Sequence, residues 1–153
     1  MADIHLSVEI AAAPARVWSA LCDPAEVAAW DSGVEAALDA PPDYPQPGQH
    51  VQWRCRGGSA RVLHDRPLEV VPEKTLRSDL RLGFVRYDET YTLMHAGEGT
   101  LLEVDLDVFI EAPWFIRLFV SRLQARVNAR TSFEESLQNL KCHCEGEATT
   151  YRI

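Results

Sequence analysis

The stretch FVRYDETYTLMHAGEGTLLEVDLDVFIE, residues 84–111, decides the fold. Apolar and polar residues alternate from Phe84 to His95 and again from Thr100 to Glu111, which predicts two strands that each bury one face. The turn Ala96-Gly97-Glu98-Gly99 between them predicts a hairpin. The two strands should therefore be neighbours in an antiparallel sheet.

A helical pattern follows this hairpin. From Pro113 to about Cys142, apolar residues recur with the spacing of a single helix of about eight turns. A helix of this length needs a large concave surface to lie against. A curved sheet with a helix across its mouth leaves an interior space, and such a space suggests a bound ligand.

The first half of the chain predicts another strand, two short helices and further strands. Ile4–Ile10 alternates as a strand, Pro14 suits the first turn of a helix, and Asp23-Pro24 can end that helix and cap a second one reaching Trp30. Four later segments are strand-like: 34–38, 51–55, 60–64 and 76–82. The order is strand, two helices, about six strands and a long helix, which predicts an antiparallel sheet of about seven strands.

Length, composition and charge restrict the class of protein. A chain of 153 residues suits a single domain over 1–153, in which we expect the tail from about residue 143 to be loose. The net charge of −8 argues against nucleic-acid binding. The N-terminus has no basic region, and no segment reaches the ~20 apolar residues that a membrane helix needs. We therefore expect a cytoplasmic protein without integral membrane association.

The four cysteines predict neither a disulfide framework nor a metal centre. In a cytoplasmic protein they are expected to be reduced. Cys142-His143-Cys144 could bind a soft metal, but one CxC without a second Cys/His pair is a weak signal. We expect no metal and no cofactor. GxSxG, Walker and HExxH motifs are also absent from the sequence.

Several short motifs, in order along the chain, carry a resemblance to a known family. They are Val8-Glu9-Ile10 with Ala13–Trp18, Asp23–Val27 with Trp30, Glu89–Leu93 with Gly97–Thr100, and Phe133-Glu134 with Leu137–Lys141. Together they resemble the START-like (SRPBCC) superfamily, which includes lipid-transfer domains and polyketide cyclases/dehydrases. The resemblance implies an α+β helix-grip fold, in which a seven-stranded antiparallel sheet wraps around the C-terminal helix and encloses a cavity.

That cavity gives a set of candidate ligand-binding residues. They are the aromatic side chains expected to face it, with one carboxylate and two arginines: Trp30, Trp53, Tyr87, Glu89, Tyr91, Phe115, Phe119, Arg122 and Arg126. For most of the aromatic residues, and for Trp114, plain core packing is the alternative and the more common case.

The arginines are notable because they fall on or beside the apolar face of the predicted helix. On a helical wheel Phe115, Phe119 and Phe133 share a face with Arg122 and Arg126. The guanidinium groups could meet an anionic or carbonyl-bearing ligand. The helix could instead bend or rotate there, so that Leu123 and Val127 point inward and the arginines point to solvent or pair with carboxylates of the sheet. We favour this second interpretation because structural ion pairs explain many such charges.

Glu89 and His64 are the candidates for acid–base chemistry. Glu89 lies on the apolar side of its strand, between Tyr87 and Tyr91, where a carboxylate needs a partner or has its pKa raised. It could act on a polyketide-like substrate, form a structural ion pair with an arginine, or point outward from a sheet edge. His64 could be a cavity base, although a lone histidine on a strand is more often a surface group.

The segment Trp114–Val120 is apolar nearly all the way round, so part of it should remain exposed. We expect a homodimer contact or a gate over the cavity mouth. For the whole protein we expect binding of a small hydrophobic or amphipathic molecule, lipid-, quinone- or polyketide-like, in the cavity. A polyketide cyclase/dehydratase-like enzyme and a protein-interaction module of the chaperone-activator kind are the alternatives.

Overall fold

The computed structural model describes residues 2–57 and 61–146. The elements, in chain order, are β1 (Ile4–Ile10), α1 (Pro14–Cys22), α2 (Pro24–Trp30), β2 (Val34–Ala37), β3 (Val51–Cys55), β4 (Val62–Val71), β5 (Thr75–Leu82), β6 (Val85–Ala96), β7 (Gly99–Ile110), α3 (Trp114–Arg117) and α4 (Arg122–Cys144). The loose tail expected from about residue 143 lies mostly outside the described residues, which end at residue 146. Its first two residues belong to α4, which ends at Cys144. Part of the turn after Gly57 also lies outside them.

The seven strands form one antiparallel sheet in the order β1-β7-β6-β5-β4-β3-β2. The first strand pairs with the last, so that Ile4 lies opposite Leu106 and Ile10 opposite Thr100. Helix α4 contacts β1 and β7 as well as both short helices. This arrangement is an α+β helix-grip fold, and it confirms the fold class and the strand count expected from the sequence.

The hairpin that decides the fold has the predicted ends to within one residue. Strands β6 and β7 are joined by Gly97 and Glu98, and Gly97 has a φ of +60°, which a glycine adopts without strain. Gly99 has a different role, since a Cβ atom there would lie 2.5 Å from the carbonyl oxygen of Ile10. Only glycine lets β7 approach β1 this closely.

Alternation along the strands places one apolar face against the helices. On β7, Leu102, Val104, Leu106 and Val108 are buried, as their spacing predicts. The buried residues of α4 lie in its middle and C-terminal part: Ala129, Ser136, Leu137 and Leu140. The core therefore lies between the concave face of the sheet, the two short helices and the last four turns of α4.

The single helix predicted from Pro113 onward is wrong, because the structure has two. The short helix α3 ends at Arg117, and Ser121 then starts α4 by accepting a 3.1 Å hydrogen bond from the backbone N–H of Gln124. The break turns Phe115, Leu118 and Phe119 away from the buried face of α4, and all three are exposed. Apolar spacing alone did not reveal the cap at Ser121.

The bend between α1 and α2 confirms the prediction made from Asp23-Pro24. Asp23 ends α1 and caps α2, with its carboxylate accepting a 2.9 Å hydrogen bond from the N–H of Ala25.

The helices are short or polar throughout, and none in the described part of the chain has the length and apolar character to cross a membrane.

Candidate ligand-binding cavity

A cavity of about 570 Å³ lies between the sheet and the N-terminal half of α4. The sheet contributes mainly apolar side chains: Leu63, Leu80, Leu82, Val85 and Tyr87. Helix α4 contributes Phe133 and otherwise small or polar side chains: Gln124, Ala125, Asn128, Ala129 and Ser132. Because alanine and serine extend little from the helix, they leave room that larger side chains would fill. A volume of this size suits a small organic molecule.

A second, inner chamber of about 50 Å³ adjoins the larger cavity. Both spaces share lining residues, among them Asp31, Leu80 and Glu89. The inner chamber is also lined by Trp30, Trp53 and Tyr91, and by polar groups of Tyr44, Asp65 and Ser78.

Glu89 lies where the two spaces meet. It is on the inward side of β6, only 8% exposed, and none of the hydrogen bonds or ion pairs found among the described residues involves its side chain. Burial raises its pKa well above the ordinary value of 4.5, and the nearby carboxylates of Asp65 and Asp31 raise it further. Glu89 therefore favours the neutral carboxylic acid form, which can donate as well as accept a hydrogen bond.

Asp65 is the second buried acid of the site, and it is 4% exposed. Its Oδ2 atom accepts hydrogen bonds from the Tyr44 hydroxyl at 2.7 Å and from Trp53 Nε1 at 3.1 Å. Its Oδ1 atom is buried without a partner. Burial raises the pKa of Asp65, and the hydrogen bonds that its carboxylate accepts oppose the rise.

Asp31 connects the site to the helices. Its Oδ1 atom accepts a 2.8 Å hydrogen bond from the N–H of Gly33 and a longer one, 3.5 Å, from the hydroxyl of Ser136 on α4. Ser32 also bonds to Ser136, at 3.1 Å through its N–H. Burial raises the pKa of Asp31. These bonds hold the end of α2 against α4 at the cavity wall.

The nine residues predicted from the sequence to bind a ligand fall into three groups. Tyr87, Glu89 and Phe119 line the larger cavity, whereas Trp30, Trp53 and Tyr91 line the inner chamber, to which Glu89 also belongs. The remaining three line neither space: Phe115, Arg122 and Arg126. Their part in ligand binding, like that of the others, stays a prediction.

The two arginines meet at Asp3, beside the first strand. Arg122 donates from Nη2 to Oδ2 of Asp3 at 3.0 Å and from Nε to the carbonyl of Val108 at 2.9 Å. Arg126 pairs with Oδ1 of the same carboxylate. The N-terminal turns of α4 are thus fixed to the edge of the sheet by ion pairs, as the second interpretation of these residues expects. Its expectation that Leu123 and Val127 point inward is wrong, because both side chains are exposed.

His64 lies on the opposite side of its strand from Leu63 and Asp65, away from both spaces. Its ring stacks on that of His50, with 5.1 Å between ring centroids and 2.9 Å between the nearest nitrogens. Glu89, the other candidate for acid–base chemistry, is the one that lines the cavity.

Sequence reasoning missed three functional candidates: Asp31, Tyr44 and Asp65. Asp65 could have been found, since it alternates with Leu63 and Pro67 on the inward side of β4. Tyr44 lies in the proline-rich connection between β2 and β3, and no periodicity indicates where a loop side chain points. Among the described residues, no group of three or more His, Cys, Asp and Glu side chains could hold a metal ion.

Residues 1–145 match the family described as "Polyketide cyclase / dehydrase and lipid transport". The chain belongs to this family. The match covers the sheet, the helices and both cavity spaces, and it confirms the START-like resemblance. No curated protein matches the sequence.

Solved structures share the fold at low sequence identity. CV1439 from Chromobacterium violaceum is 22% identical with a TM-score of 0.72, over 93% of this chain and 96% of that one. MLL2253 from Mesorhizobium loti is 20% identical with a TM-score of 0.75, over 95% of this chain and 98% of that one. DynU16, a protein in the dynemicin biosynthetic locus, is 19% identical with a TM-score of 0.70, over 97% of this chain and 49% of that one. At these identities the likeness shows the fold alone.

Proposed function

We propose that the protein binds a small amphipathic molecule, lipid-, quinone- or polyketide-like, in the cavity between the sheet and α4. The observation that carries the proposal is Glu89, a buried carboxyl group at the cavity wall that has no hydrogen bond or ion pair in the described part of the chain. A buried polar group without a hydrogen bond costs stability. A ligand that supplies the missing partner would offset this cost.

The size and lining of the cavity support the same proposal. A space of about 570 Å³ lined by leucine, valine and aromatic side chains, with a few polar groups at one end, is typical of small-molecule sites. A protein-interaction module is expected to have a filled interior instead. Family membership agrees with a small hydrophobic ligand, and a cytoplasmic location stays a prediction.

Binding can be tested with the protein as purified. Native mass spectrometry would detect a retained molecule, and titration with Nile red, a neutral hydrophobic dye, would measure uptake. Ala125→Phe places a ring inside the cavity and should weaken Nile red binding by about tenfold or more, equivalent to about 1.4 kcal/mol. Ala15→Phe adds the same ring to an exposed position on α1 and is the matched control.

The proposal predicts that the two variants differ in Nile red binding. Circular dichroism checks that both variants fold. Uptake by the wild-type protein and by Ala15→Phe, with loss in Ala125→Phe, would support it. If the wild-type protein retains no molecule and takes up no dye, or if both variants bind equally well, binding in this cavity is contradicted.

A second candidate function is acid–base catalysis by Glu89 on a carbonyl-bearing ligand. The raised pKa of Glu89 favours a carboxylic acid, which can give a proton to a carbonyl oxygen while a water molecule takes the proton from the neighbouring carbon. The test is deuterium incorporation next to the carbonyl of a bound aryl ketone in D₂O, followed by mass spectrometry. Glu89→Gln should lose the activity, whereas His64→Ala should keep it because His64 lies away from the cavity. No incorporation by the wild-type protein above the buffer rate would count against catalysis but not against binding.

A further inference from the structure

Among the described residues, three carboxyl groups and no lysine or arginine side chain line the inner chamber. Asp31, Asp65 and Glu89 come from the end of α2, from β4 and from β6, and all three border the same space of about 50 Å³. The chamber has about a tenth of the volume of the larger cavity, about 50 Å³ against about 570 Å³, so it suits one small chemical group. The larger cavity beside it has room for the rest of a ligand.

Two of these carboxyl groups have unused acceptor atoms. Oδ1 of Asp65 is buried without a hydrogen bond, although Oδ2 of the same group accepts two. Glu89 has no hydrogen bond or ion pair to another described residue and is 8% exposed. Buried acceptors in native proteins are nearly always paired, so two unpaired ones that border one chamber point to a missing donor.

The basic side chains found near the chamber do not line it. His50 is close enough to influence Asp65, and Arg56 to influence Asp31. Arg61 lines the larger cavity, where it influences Tyr87. The hydroxyl groups of Tyr91 and Ser78 border the chamber as neutral donors, and Ser78 lies close enough to Asp65 to lower its pKa. The chamber therefore presents an excess of acceptors, and a ligand carboxylate entering it would add a fourth acidic group beside Asp31, Asp65 and Glu89.

We propose that the ligand bears a primary amine, which enters the inner chamber as an ammonium group between Asp65 and Glu89. An ammonium group has three donors and no acceptor, and its hydrogen bonds to carboxylates are charge-assisted. Its positive charge also favours the ionised form of Glu89, whose pKa is raised in the absence of such a partner. The apolar part of the ligand then occupies the larger cavity. This inference rests on the proposed binding function and adds the chemistry of the ligand's head group.

Three probes with the same alkyl chain separate this inference from binding in general: dodecylamine, dodecanol and dodecanoate. Each would be measured below its aggregation concentration by displacement of Nile red at pH 7. We expect dodecylamine to bind about tenfold more tightly than dodecanol, because hydrogen bonds with a charged partner are about twice as strong as neutral ones. Dodecanoate should bind most weakly.

Variants of the chamber residues test whether the preference for dodecylamine over dodecanol arises in the inner chamber. Glu89→Gln and Asp65→Asn keep the shape of the side chain but remove a carboxylate, so each should reduce the ratio of amine to alcohol affinity by about fivefold or more. Two variants are used so that the test survives if one of them does not fold. Asp88→Asn is the matched control, since Asp88 neighbours Glu89 on β6 but pairs with Arg77 at 2.8 Å outside the cavity.

The possible results separate the two proposals. If dodecanol binds and dodecylamine binds no better, or if dodecanoate binds best, the amine inference is overturned while the binding function stands. If no probe binds, the binding function fails and the inference fails with it. An unchanged amine preference in Glu89→Gln and Asp65→Asn, or an equal loss in Asp88→Asn, would also overturn the assignment of the amine to this chamber.

Discussion

The hydroxyl of Tyr44 donates a 2.7 Å hydrogen bond to Oδ2 of Asp65, a carboxyl group whose other oxygen has no partner among the described residues. Burial raises the pKa of Tyr44 well above 10.0, and the carboxylate of Asp65 raises it further, so the phenol keeps its proton. This bond connects the proline-rich loop between β2 and β3 to the wall of the inner chamber, where it holds the acid in place.

Tyr44→Phe should therefore destabilise the protein. We expect the free energy of unfolding to fall by about 1–3 kcal/mol, because the change leaves a buried acceptor with one donor fewer. Urea denaturation at pH 7 measures the loss. Tyr87→Phe is the matched control, since no hydrogen bond found among the described residues uses the Tyr87 hydroxyl, and it should change stability by less than about 0.5 kcal/mol. Equal losses in the two variants would contradict the assigned role of Tyr44.

The raised pKa of Glu89 predicts how stability depends on pH. The folded protein keeps this proton at pH values at which the unfolded chain has lost it. The contribution of Glu89 to stability is thus fully present below pH 4.5 and is lost as the pH rises from there through the folded-state pKa. Glu89→Gln cannot ionise, so it should match the wild-type protein near pH 4 and exceed its stability at pH 8, by about 1–3 kcal/mol.

The measurement is urea denaturation of both proteins across this pH range. Asp31 and Asp65 titrate in both proteins, so the difference between the two curves reports Glu89 together with its electrostatic coupling to these two groups. A difference that does not change with pH would show that Glu89 has an ordinary pKa and is not buried in the way described. A wild-type protein that is more stable than Glu89→Gln at pH 8 would show that the carboxylate has a partner.

Much of the fold could be predicted from the sequence because strand alternation is a local signal. The register of β6 with β7 follows from the turn at Gly97, and the inward side of β6, with Tyr87, Glu89 and Tyr91, follows from a period of two. Once one buried face is known, a one-residue slip would expose every apolar side chain of the strand. The prediction that Glu89 points inward was therefore well determined.

The parts that could not be predicted depend on contacts between distant segments. Asp65 and Glu89 lie on strands separated by β5, and their joint contribution to one chamber depends on the curvature of the whole sheet. The partner of Arg122 and Arg126 also depends on distant contacts, because the pairing of the first strand with the last sets the position of Asp3 relative to α4. Helical spacing places the arginines on a face but does not name their partner.

Asp3 gives a pH dependence of the opposite sign. Its pKa is lowered, chiefly by a 2.9 Å hydrogen bond from the N–H of Val108 and also by Arg126 and Arg122, against a smaller opposing effect of burial. Its contribution to stability is present above pH 3.8 and is lost as the pH falls through the folded-state pKa. Asp3→Asn should cost about 1 kcal/mol at pH 7 and progressively less in acid.

Asp105→Asn is the matched control for Asp3→Asn, because Asp105 on β7 forms only an exposed pair with His5. Exposed pairs contribute little, so the control should lose less than about 0.5 kcal/mol at pH 7. Chemical denaturation at pH 7 and pH 3 measures both variants. If Asp3→Asn costs no more than Asp105→Asn, the arginine pairs do not fix the N-terminal turns of α4.

The break between α3 and α4 predicts that two apolar residues of the same helical pattern have very different effects on stability. Leu140 is fully buried on α4, so Leu140→Ala should lower the free energy of unfolding by about 2–5 kcal/mol. Phe119 is 89% exposed in the connection before α4, and Phe119→Ala should change it by less than about 0.5 kcal/mol. One continuous helix with both residues on its buried face would make both changes costly.

Measuring these variants at two protein concentrations also tests the homodimer expected through Trp114–Val120. A partner that covers Phe119 would make the stability of the wild-type protein rise with concentration, and Phe119→Ala would remove that dependence. If the wild-type stability is independent of concentration and Phe119→Ala is neutral, the segment is exposed in a monomer. A loss in Phe119→Ala that equals the loss in Leu140→Ala at every concentration would contradict the exposed position of Phe119, because only burial within the chain gives a cost that dilution does not change.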